Sequence, residues 1–249
     1  MDSDREKNRR AWDAASDVYQ RQHGAQLATS AEAWGIWSFP ETELQLVGDV
    51  VDRDVLEFGC GGAQWSISLA RRGARCTGLD NSQRQLDFAR EAIDAAGVDV
   101  RLVHAAAEEP PFPDASFDLV FCDHGALSFS APEVTIPQVA RLLRPRGILA
   151  FSVGHPLRDV CWDEREQAVS RTLHRSYFEL GAFVDPDDGG VSHVRPISTY
   201  CEILFAAGFT IEKLLEPRPR LDMISSYSFA TLPWARDFPA ELMIRARLH

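Results

Sequence analysis

The first chemically informative stretch of the sequence is VLEFGCGGAQWS, residues 55–66. An apolar run contains a carboxylate, Glu57, and is followed by Gly59, Gly61 and Gly62. Glycines let the backbone approach a ligand closely, and open α/β sheets bind ligands at the carboxyl ends of their strands. This stretch is therefore interpreted as a nucleotide-binding turn.

The charges around this turn favour one type of nucleotide. A dinucleotide-binding loop has the pattern G-x-G-x-x-G, and counting from Gly59 its third glycine would fall on Gln64. The carboxylate of Glu57 would repel the phosphates of a dinucleotide, but it would attract a cationic ligand. S-adenosylmethionine carries an ammonium and a sulfonium and no phosphate, so it is the predicted cofactor.

A second carboxylate, Asp80, ends the next predicted strand in the segment GLDNS. Nucleotide-binding folds place an acid about 20 residues beyond the glycine loop, where it binds the ribose hydroxyls. Asp80 is therefore predicted to bind ribose. The alternative for Glu57 and Asp80 is that each only caps a neighbouring helix.

Two further strand ends carry residues that could transfer a proton. Asp123 and His124, in CDHGALSF, follow the fourth predicted strand, and His155, in SVGHPL, follows the fifth. A histidine there could accept a proton from a substrate hydroxyl. The alternatives are that His124 only shapes the pocket and that His155 is a loop residue bonded to backbone.

The elements that must position these residues alternate between strands and helices. Such alternation predicts a parallel sheet with helices on both faces. The predicted strands are RDVLEF, ARCTGLD, DVRLVHA, FDLVFCD, GILAFSVG, FTIEKLLE and ELMIRARL, and the predicted helices cover 5–23, 28–48, 63–72, 82–97, 132–143 and 197–207. The fold class is α/β, with a Rossmann-like, mostly parallel sheet of seven strands.

One domain is predicted over residues 1–249. It begins with a helical N-terminal cap at 1–48, continues with a cofactor-binding core at 50–153, and has an insertion at 155–196 that covers the substrate. Residues 197–249 complete the sheet. The insertion interrupts the regular rhythm after the fifth strand.

Composition restricts the class of partner. The net charge of −11 disfavours duplex nucleic acid, which needs a basic surface. The charged N-terminus has no apolar core segment, and no run reaches the roughly 20 apolar residues of a membrane span. The five cysteines have no C-x-x-C spacing, so neither a metal site nor disulfides are expected. The expected location is the cytoplasm, without a membrane or nucleic-acid partner.

Taken in order, three segments resemble the class I S-adenosylmethionine-dependent methyltransferases, most closely the branch that acts on small molecules. They are VLEFGCGGAQWSISLARRGARCTGLDNSQRQLDFAR, AAAEEPPFPDASFDLVFCDHGALSF and RLLRPRGILAFS. The resemblance covers about residues 50–153. It implies methyl transfer to a small molecule by direct displacement.

The resemblance also implies roles for individual residues. Those that would bind the cofactor are Glu57, Gly59 and Gly61 at its methionine end, Asp80 at the ribose, Asn81, Ala107 and Glu108 around the adenine, and Tyr19 on a helical lid. Asp123 and His124 would stand near the methyl group.

Several questions stay open at this level. The aromatic residues of the cap and the insertion suggest an apolar or aromatic substrate, but the acceptor atom could be O, N, S or C. The rival functions are a nicotinamide-dependent oxidoreductase and a noncatalytic module that binds S-adenosylmethionine. The oligomeric state is not predicted.

Overall fold

Seven strands form one central sheet in the computed structural model, which describes residues 3–29 and 32–249. In chain order they are Asp54–Phe58 (β1), Arg75–Asp80 (β2), Val100–His104 (β3), Phe117–Asp123 (β4), Leu143–Gly154 (β5), Phe209–Leu215 (β6) and Glu241–Leu248 (β7). Their order across the sheet is β6-β7-β5-β4-β1-β2-β3. The strands β1 to β5 pair in parallel, and β7 runs antiparallel to both of its neighbours. The predicted fold class is confirmed.

Helices cover both faces of this sheet. The longer ones are Asp4–Thr29 (α1), Gln64–Arg71 (α2), Gln83–Ala96 (α3), Pro132–Leu142 (α4) and Ile197–Ala206 (α5), and the short ones are Glu41–Leu44, Ala126–Phe129, Pro156–Val160, Leu232–Asp237 and the 3-10 turn Tyr177–Glu179. Neighbouring residues of β1 enter opposite cores: Val55 belongs to the same buried cluster as Leu86 of α3, and Leu56 to the same buried cluster as Ile136 of α4. This alternation is the period-two pattern of a strand buried on both sides.

The boundaries of α3 follow directly from the sequence. The hydroxyl of Ser82 accepts a hydrogen bond from the backbone N–H of Gln85 at 3.2 Å, and Gly97 ends the helix in the left-handed conformation at φ 64°. Ser82 and Gly97 are the two ends of the helix predicted over 82–97. The helix therefore begins at Gln83, three residues after Asp80, and its cap Ser82 donates its backbone N–H to Asp80 at the end of β2.

The second predicted N-terminal helix, over 28–48, is wrong. Residues 30 and 31 lie outside the described part of the chain, and beyond them Ala33–Trp34 pairs antiparallel with Phe39–Pro40. Gly35 and Ser38 in the connecting turn have positive φ angles, which a helix does not allow. The aromatic residues that suggested a helix are buried in the core instead.

A single carboxylate, that of Glu41, holds the chain that follows this hairpin. It accepts hydrogen bonds from the indole of Trp34 at 2.7 Å and from the backbone N–H groups of Leu46, Val47 and Gly48 at 3.0, 2.8 and 3.0 Å. Tertiary contacts of this kind override the local preference of a short sequence. They fix the approach of the chain to β1.

The segment between β5 and α5 contains two small hairpins, Trp162–Asp163 with Ala168–Val169 and Ala182–Val184 with Val191–His193. The second hairpin touches α1, because the amide of Asn8 donates to the carbonyl oxygen of Val191 at 2.9 Å. The N-terminal helix and the insertion thus contact each other through this hydrogen bond. In the described ranges no helix has both the length and the apolar character of a membrane span.

Candidate functional site

A cavity of about 920 Å³, counting the part open to solvent, lies at the carboxyl ends of β1, β2 and β4. The strand ends and the turns after them form its floor, and α1 lies across it. The predicted residues that line it are Tyr19, Glu57, Gly59, Gly61, Asp80, Asn81, Ala107, Glu108, Asp123 and His124.

The glycine turn passes in backbone contact with the segment after β4. Gly59 has a φ of 87°, and a β-carbon there would overlap the backbone nitrogen of Ala126. A β-carbon at Gly125 would lie 2.5 Å from the carbonyl oxygen of Gly59. Gly59 is thus required for conformation and for space. The sequence interpretation did not single out Gly125, because its need arises only from this contact between distant segments.

Glu57 lines the cavity and also caps α2. Its Oε2 accepts a hydrogen bond from the backbone N–H of Ser66 at 3.0 Å and another from the Ser66 hydroxyl. Burial raises the pKa of Glu57 to about 8, the Ser66 bonds oppose this, and nearby Asp123 and Asp80 add to it. One oxygen of Glu57 therefore caps α2, as the helix-capping alternative predicts. The same residue also lines the cavity.

Asp80 is held by backbone amides at the end of β2. One oxygen accepts from the N–H of Ser82 at 2.9 Å and the other from the N–H of Gly61 at 2.8 Å. Burial raises the pKa of Asp80, and these bonds oppose the rise. The carboxylate is thereby fixed between the glycine turn and α3.

The side of the cavity next to β3 contains Asn81, Ala107 and Glu108. The amide of Asn81 donates to the carbonyl oxygen of Arg5 at 2.9 Å, which ties this side to the first turn of α1. Ala107 is buried, and its small side chain leaves room in the cavity. All three residues lie where the sequence placed an adenine, and their contact with it stays a prediction.

Asp123, at the end of β4, is surrounded by donors. It accepts from the backbone N–H of Gly35 at 2.9 Å, from the Ser152 hydroxyl, and from the indole of Trp65 at 3.4 Å. Burial raises the pKa of Asp123, whereas His124 lowers it. Asp123 therefore links β4 to the N-terminal hairpin as well as lining the cavity.

His124 follows in the left-handed conformation, at φ 49°. Its backbone N–H donates to Ser152, and its Nε2 lies 2.7 Å from Oε1 of Glu241. The side chain keeps 24% exposure and lines the cavity. The contact with Glu241 was not predicted, although a carboxylate at the start of the apolar strand ELMIRARL is a visible signal.

His155 lies outside the lining of this cavity. Its Nδ1 accepts from the backbone N–H of Leu157 at 3.0 Å, and its Nε2 lies 2.7 Å from Oε1 of Glu216. The geometry matches the alternative of a loop histidine bonded to backbone. The expectation that His155 lines the pocket is corrected, and a role for it in proton transfer is not favoured.

Tyr19 closes the cavity from α1. Its hydroxyl lies 2.7 Å from that of Tyr227, in the segment between β6 and β7. Trp12, further toward the N-terminus of α1, packs edge-on against Phe129 at 5.1 Å between ring centroids. One wall of the cavity is therefore aromatic.

The charges of the lining favour a cationic ligand. The carboxylates Glu57, Asp80, Glu108 and Asp123 line the cavity, against the one guanidinium of Arg5 among its described lining residues. A pyrophosphate would be repelled here, whereas the ammonium and sulfonium of S-adenosylmethionine would be attracted. The charges of the lining residues thus fit S-adenosylmethionine. Across residues 3–29 and 32–249, no group of three or more His, Cys, Asp or Glu side chains could hold a metal ion.

Residues 56–151 match the family model described as a methyltransferase domain. A fatty-acid O-methyltransferase of Mycolicibacterium smegmatis is 35% identical over 124 residues, which cover 49% of this chain and 44% of that protein. A ubiquinone biosynthesis O-methyltransferase of Aromatoleum aromaticum is 39% identical over 99 residues, covering 39% and 42%. The chain thus spans less than half the length of either curated relative.

The likeness in structure extends further along the chain. The crystal structure of an S-adenosylmethionine dependent methyltransferase from Mesorhizobium loti superposes with a TM-score of 0.68 at 25% identity. The superposition covers 83% of this chain and 95% of that one. It therefore reaches well beyond the segment matched by the family model.

Proposed function

We propose that this chain, which belongs through residues 56–151 to the class I S-adenosylmethionine-dependent methyltransferases, transfers a methyl group from that cofactor to a small molecule. One observation carries the proposal. A single cavity is lined both by the acids assigned to the cofactor, Glu57 and Asp80, and by Asp123 and His124, assigned to the acceptor. When bound, S-adenosylmethionine supplies a methyl group on a positively charged sulfur, which makes that methyl an electrophile.

The cofactor side is assigned to the strand ends β1 and β2. Glu57 and the turn of Gly59 and Gly61 would hold the methionine part, and Asp80 would accept the ribose hydroxyls. Asp80 can do so without rearrangement, because the amides of Gly61 and Ser82 already fix it. Preorganised contacts of this kind lower the cost of binding.

The acceptor side is assigned to the end of β4. His124 would take a proton from the acceptor, and Asp123 would support the resulting positive charge, since the two groups already interact. Tyr19 and the rest of α1 would keep water out and hold the acceptor in line. Alignment of this kind contributes several powers of ten in rate.

The acceptor is proposed to be apolar or aromatic. Trp12, Tyr19, Leu27 and Phe129 line the cavity and give it an apolar wall. Two relatives are named as O-methyltransferases, which favours oxygen as the accepting atom. The acidic lining and the net charge of −11 give no support to a nucleic-acid acceptor.

The experiment is a transfer assay with radiolabelled S-adenosylmethionine and a panel of phenols, fatty acids and quinols. The wild-type protein should label at least one member, Asp80→Asn should not at the same cofactor concentration, and Asp99→Asn should behave as wild type. Asp99 is a matched control, because it is exposed and directly precedes β3. It therefore lies at the amino ends of the parallel strands, whereas the cavity lies at their carboxyl ends. Binding of the cofactor without transfer to any member would favour the noncatalytic module instead.

A further inference from the structure

We infer that Glu241 is a positioning residue that holds His124 as the proton acceptor for a neutral hydroxyl group of the substrate. The inference rests on the proposed function and makes it more specific. It starts from the contact of 2.7 Å between Nε2 of His124 and Oε1 of Glu241, which joins the cavity wall after β4 to the first residue of β7.

Glu241 is a buried carboxylate, with 1% of its surface exposed. Its Oε1 also accepts the backbone N–H of Ile36 at 2.7 Å. The other oxygen, Oε2, is buried and has no hydrogen-bond partner among the described residues. Burying such an oxygen costs free energy. The bond to Ile36 uses only Oε1, so the packing of the hairpin alone does not explain the second, unpaired oxygen.

The N-terminal hairpin is built closely around this carboxylate. A β-carbon at Gly35 would overlap Oε1 of Glu241, and Gly35 has a φ of 73°. The same residue donates its N–H to Asp123. One glycine therefore spaces the two acids on either side of His124.

The contact sets the tautomer of the imidazole. A carboxylate is only an acceptor, so Nε2 carries the proton and donates it to Glu241. The lone pair is then left on Nδ1, which has no hydrogen-bond partner within residues 3–29 and 32–249. Because His124 lines the cavity, Nδ1 is the nitrogen available to a ligand.

The proton transfer balances with these groups alone. The hydroxyl proton of the acceptor passes to Nδ1, and its electron pair stays on oxygen. That oxygen forms the bond to the methyl carbon as the carbon–sulfur bond breaks, with the broken bond's electron pair remaining on sulfur. The imidazolium lies between Glu241 and Asp123, which stabilise its charge, and later returns the proton to water.

Asp123 and Glu241 also argue against a methyl acceptor that is itself negatively charged. The ionisable groups nearest His124 are Asp123 and Glu241, and Glu57, Tyr19 and Tyr227 also interact with this pair. A carboxylate substrate would meet like charges and would need no proton acceptor. A neutral alcohol or phenol fits both features.

Nitrogen NMR of the histidine rings tests the positioning role without any turnover. His124→Asn assigns the His124 signals, and the wild type should show the proton on Nε2. Glu241→Met, which removes the acceptor oxygen, should give a mixture of tautomers, whereas Glu241→Gln, which keeps an oxygen, should retain most of the wild-type form. A wild-type His124 protonated on Nδ1 would overturn the inference, even if Glu241→Met did not fold.

Transfer to two probes tests the acceptor class. The probes are 4-hexylphenol, which is neutral at pH 7.5, and decanoate. We expect transfer to the phenol, a fall of about 100-fold in Glu241→Met, as for loss of a proton acceptor, and a smaller fall in Glu241→Gln. Glu202→Met, on the exposed surface of α5, should change neither rate nor NMR signals. Labelling of decanoate alone, or of neither probe, would overturn the assignment.

Binding of S-adenosylmethionine separates this inference from the proposed function. All Glu241 variants should bind the cofactor like the wild type, because Glu241 does not line the cavity. Failure of the wild-type protein to bind S-adenosylmethionine would contradict the proposed function. The NMR result would still show whether Glu241 sets the tautomer of His124. Unchanged tautomer and unchanged transfer in both Glu241 variants would defeat the inference alone.

Discussion

Single residues show why the cavity favours a cation. Burial and the nearby Asp123 raise the pKa of Glu57, and burial raises the pKa of Asp123. In the free protein, Glu57 keeps its proton up to a pH of about 8. A positive charge placed beside it favours the ionised form, so ligand binding and proton release are coupled.

This coupling predicts a pH dependence of binding. Below pH 8, S-adenosylmethionine should release protons from Glu57, so its affinity should rise with pH and level off above about 8. Calorimetry at pH 7 in two buffers with different ionisation enthalpies measures the release. Glu57→Gln should remove the part of the release due to this residue. An equal release in both proteins would show that Glu57 does not respond to the ligand.

Glu57 should also affect stability, with a definite sign. Its pKa is raised from an ordinary value of 4.5 to about 8 on folding, so the folded protein binds the proton more tightly over that interval. The contribution of this group to the free energy of unfolding is therefore present below pH 4.5 and is lost as pH rises through 8.

At the scale of single residues, the sequence predicts the residues at the strand ends. It does not predict the residues that contact them from distant parts of the chain. Glu57, Asp80 and His124 each follow or end a strand whose apolar pattern is clear, so their common edge could be foreseen. Glu241 and Gly125 act on these residues from distant parts of the chain. Their roles depend on the strand order and on a close backbone approach, which local patterns do not contain.

Among the elements, α1 is attached to the rest of the molecule largely by polar side chains. Asn8 donates to the carbonyl oxygens of Phe129 and Val191 at 2.6 and 2.9 Å and accepts from the N–H of Val191. Tyr19, in the second half of the helix, pairs with Tyr227. The same helix contacts the insertion and lines the cavity, so these bonds determine how well the cavity is covered.

Removal of the Asn8 side chain should therefore destabilise the protein. Asn8→Ala leaves buried backbone groups of Phe129 and Val191 without their partner, which costs about 1–3 kcal/mol. Urea denaturation should show this loss, together with weaker binding of S-adenosylmethionine. Gln22→Ala, at an exposed position of the same helix, serves as control. Equal stability of the two variants would mean that Asn8 does not hold the insertion.

The hairpin at 33–40 is the element that the sequence predicts least well. Its aromatic residues have a spacing that also fits an amphipathic helix, and Glu41 decides between the two structures through four hydrogen bonds. No local pattern reveals that a glutamate will be buried beneath three backbone amides. The result is a hairpin, a single helical turn at Glu41–Leu44 and an irregular connection to β1, and not a helix over 28–48.

Replacement of this carboxylate tests that explanation. Glu41→Ala should lower the free energy of unfolding by about 3 kcal/mol or more, because buried amides lose their acceptor. Glu41→Gln keeps one acceptor oxygen and should lose less. Thermal and urea unfolding measure both, with Glu43→Ala as control, since Glu43 is exposed. A loss in Glu43→Ala as large as in Glu41→Ala would contradict the explanation.

In the whole molecule, the alternation of strands and helices determines the architecture. Each strand from β1 to β5 was recognised from its apolar run, and the antiparallel β7 completes the sheet beside β5. The site follows from this order, because parallel strands bring Glu57, Asp80 and His124 to one edge. The position of α1 across that edge could be predicted only as a role and not as a set of contacts.

The most direct test of the central claim is calorimetric titration of the purified protein with S-adenosylmethionine, S-adenosylhomocysteine and NADH. The site described here predicts binding of the first two and none of NADH. Asp80→Asn should weaken that binding about 10- to 100-fold, as expected for a hydrogen bond to a charged group, while Asp99→Asn should not. Failure to bind either S-adenosyl compound, or binding of NADH in their place, would contradict the account.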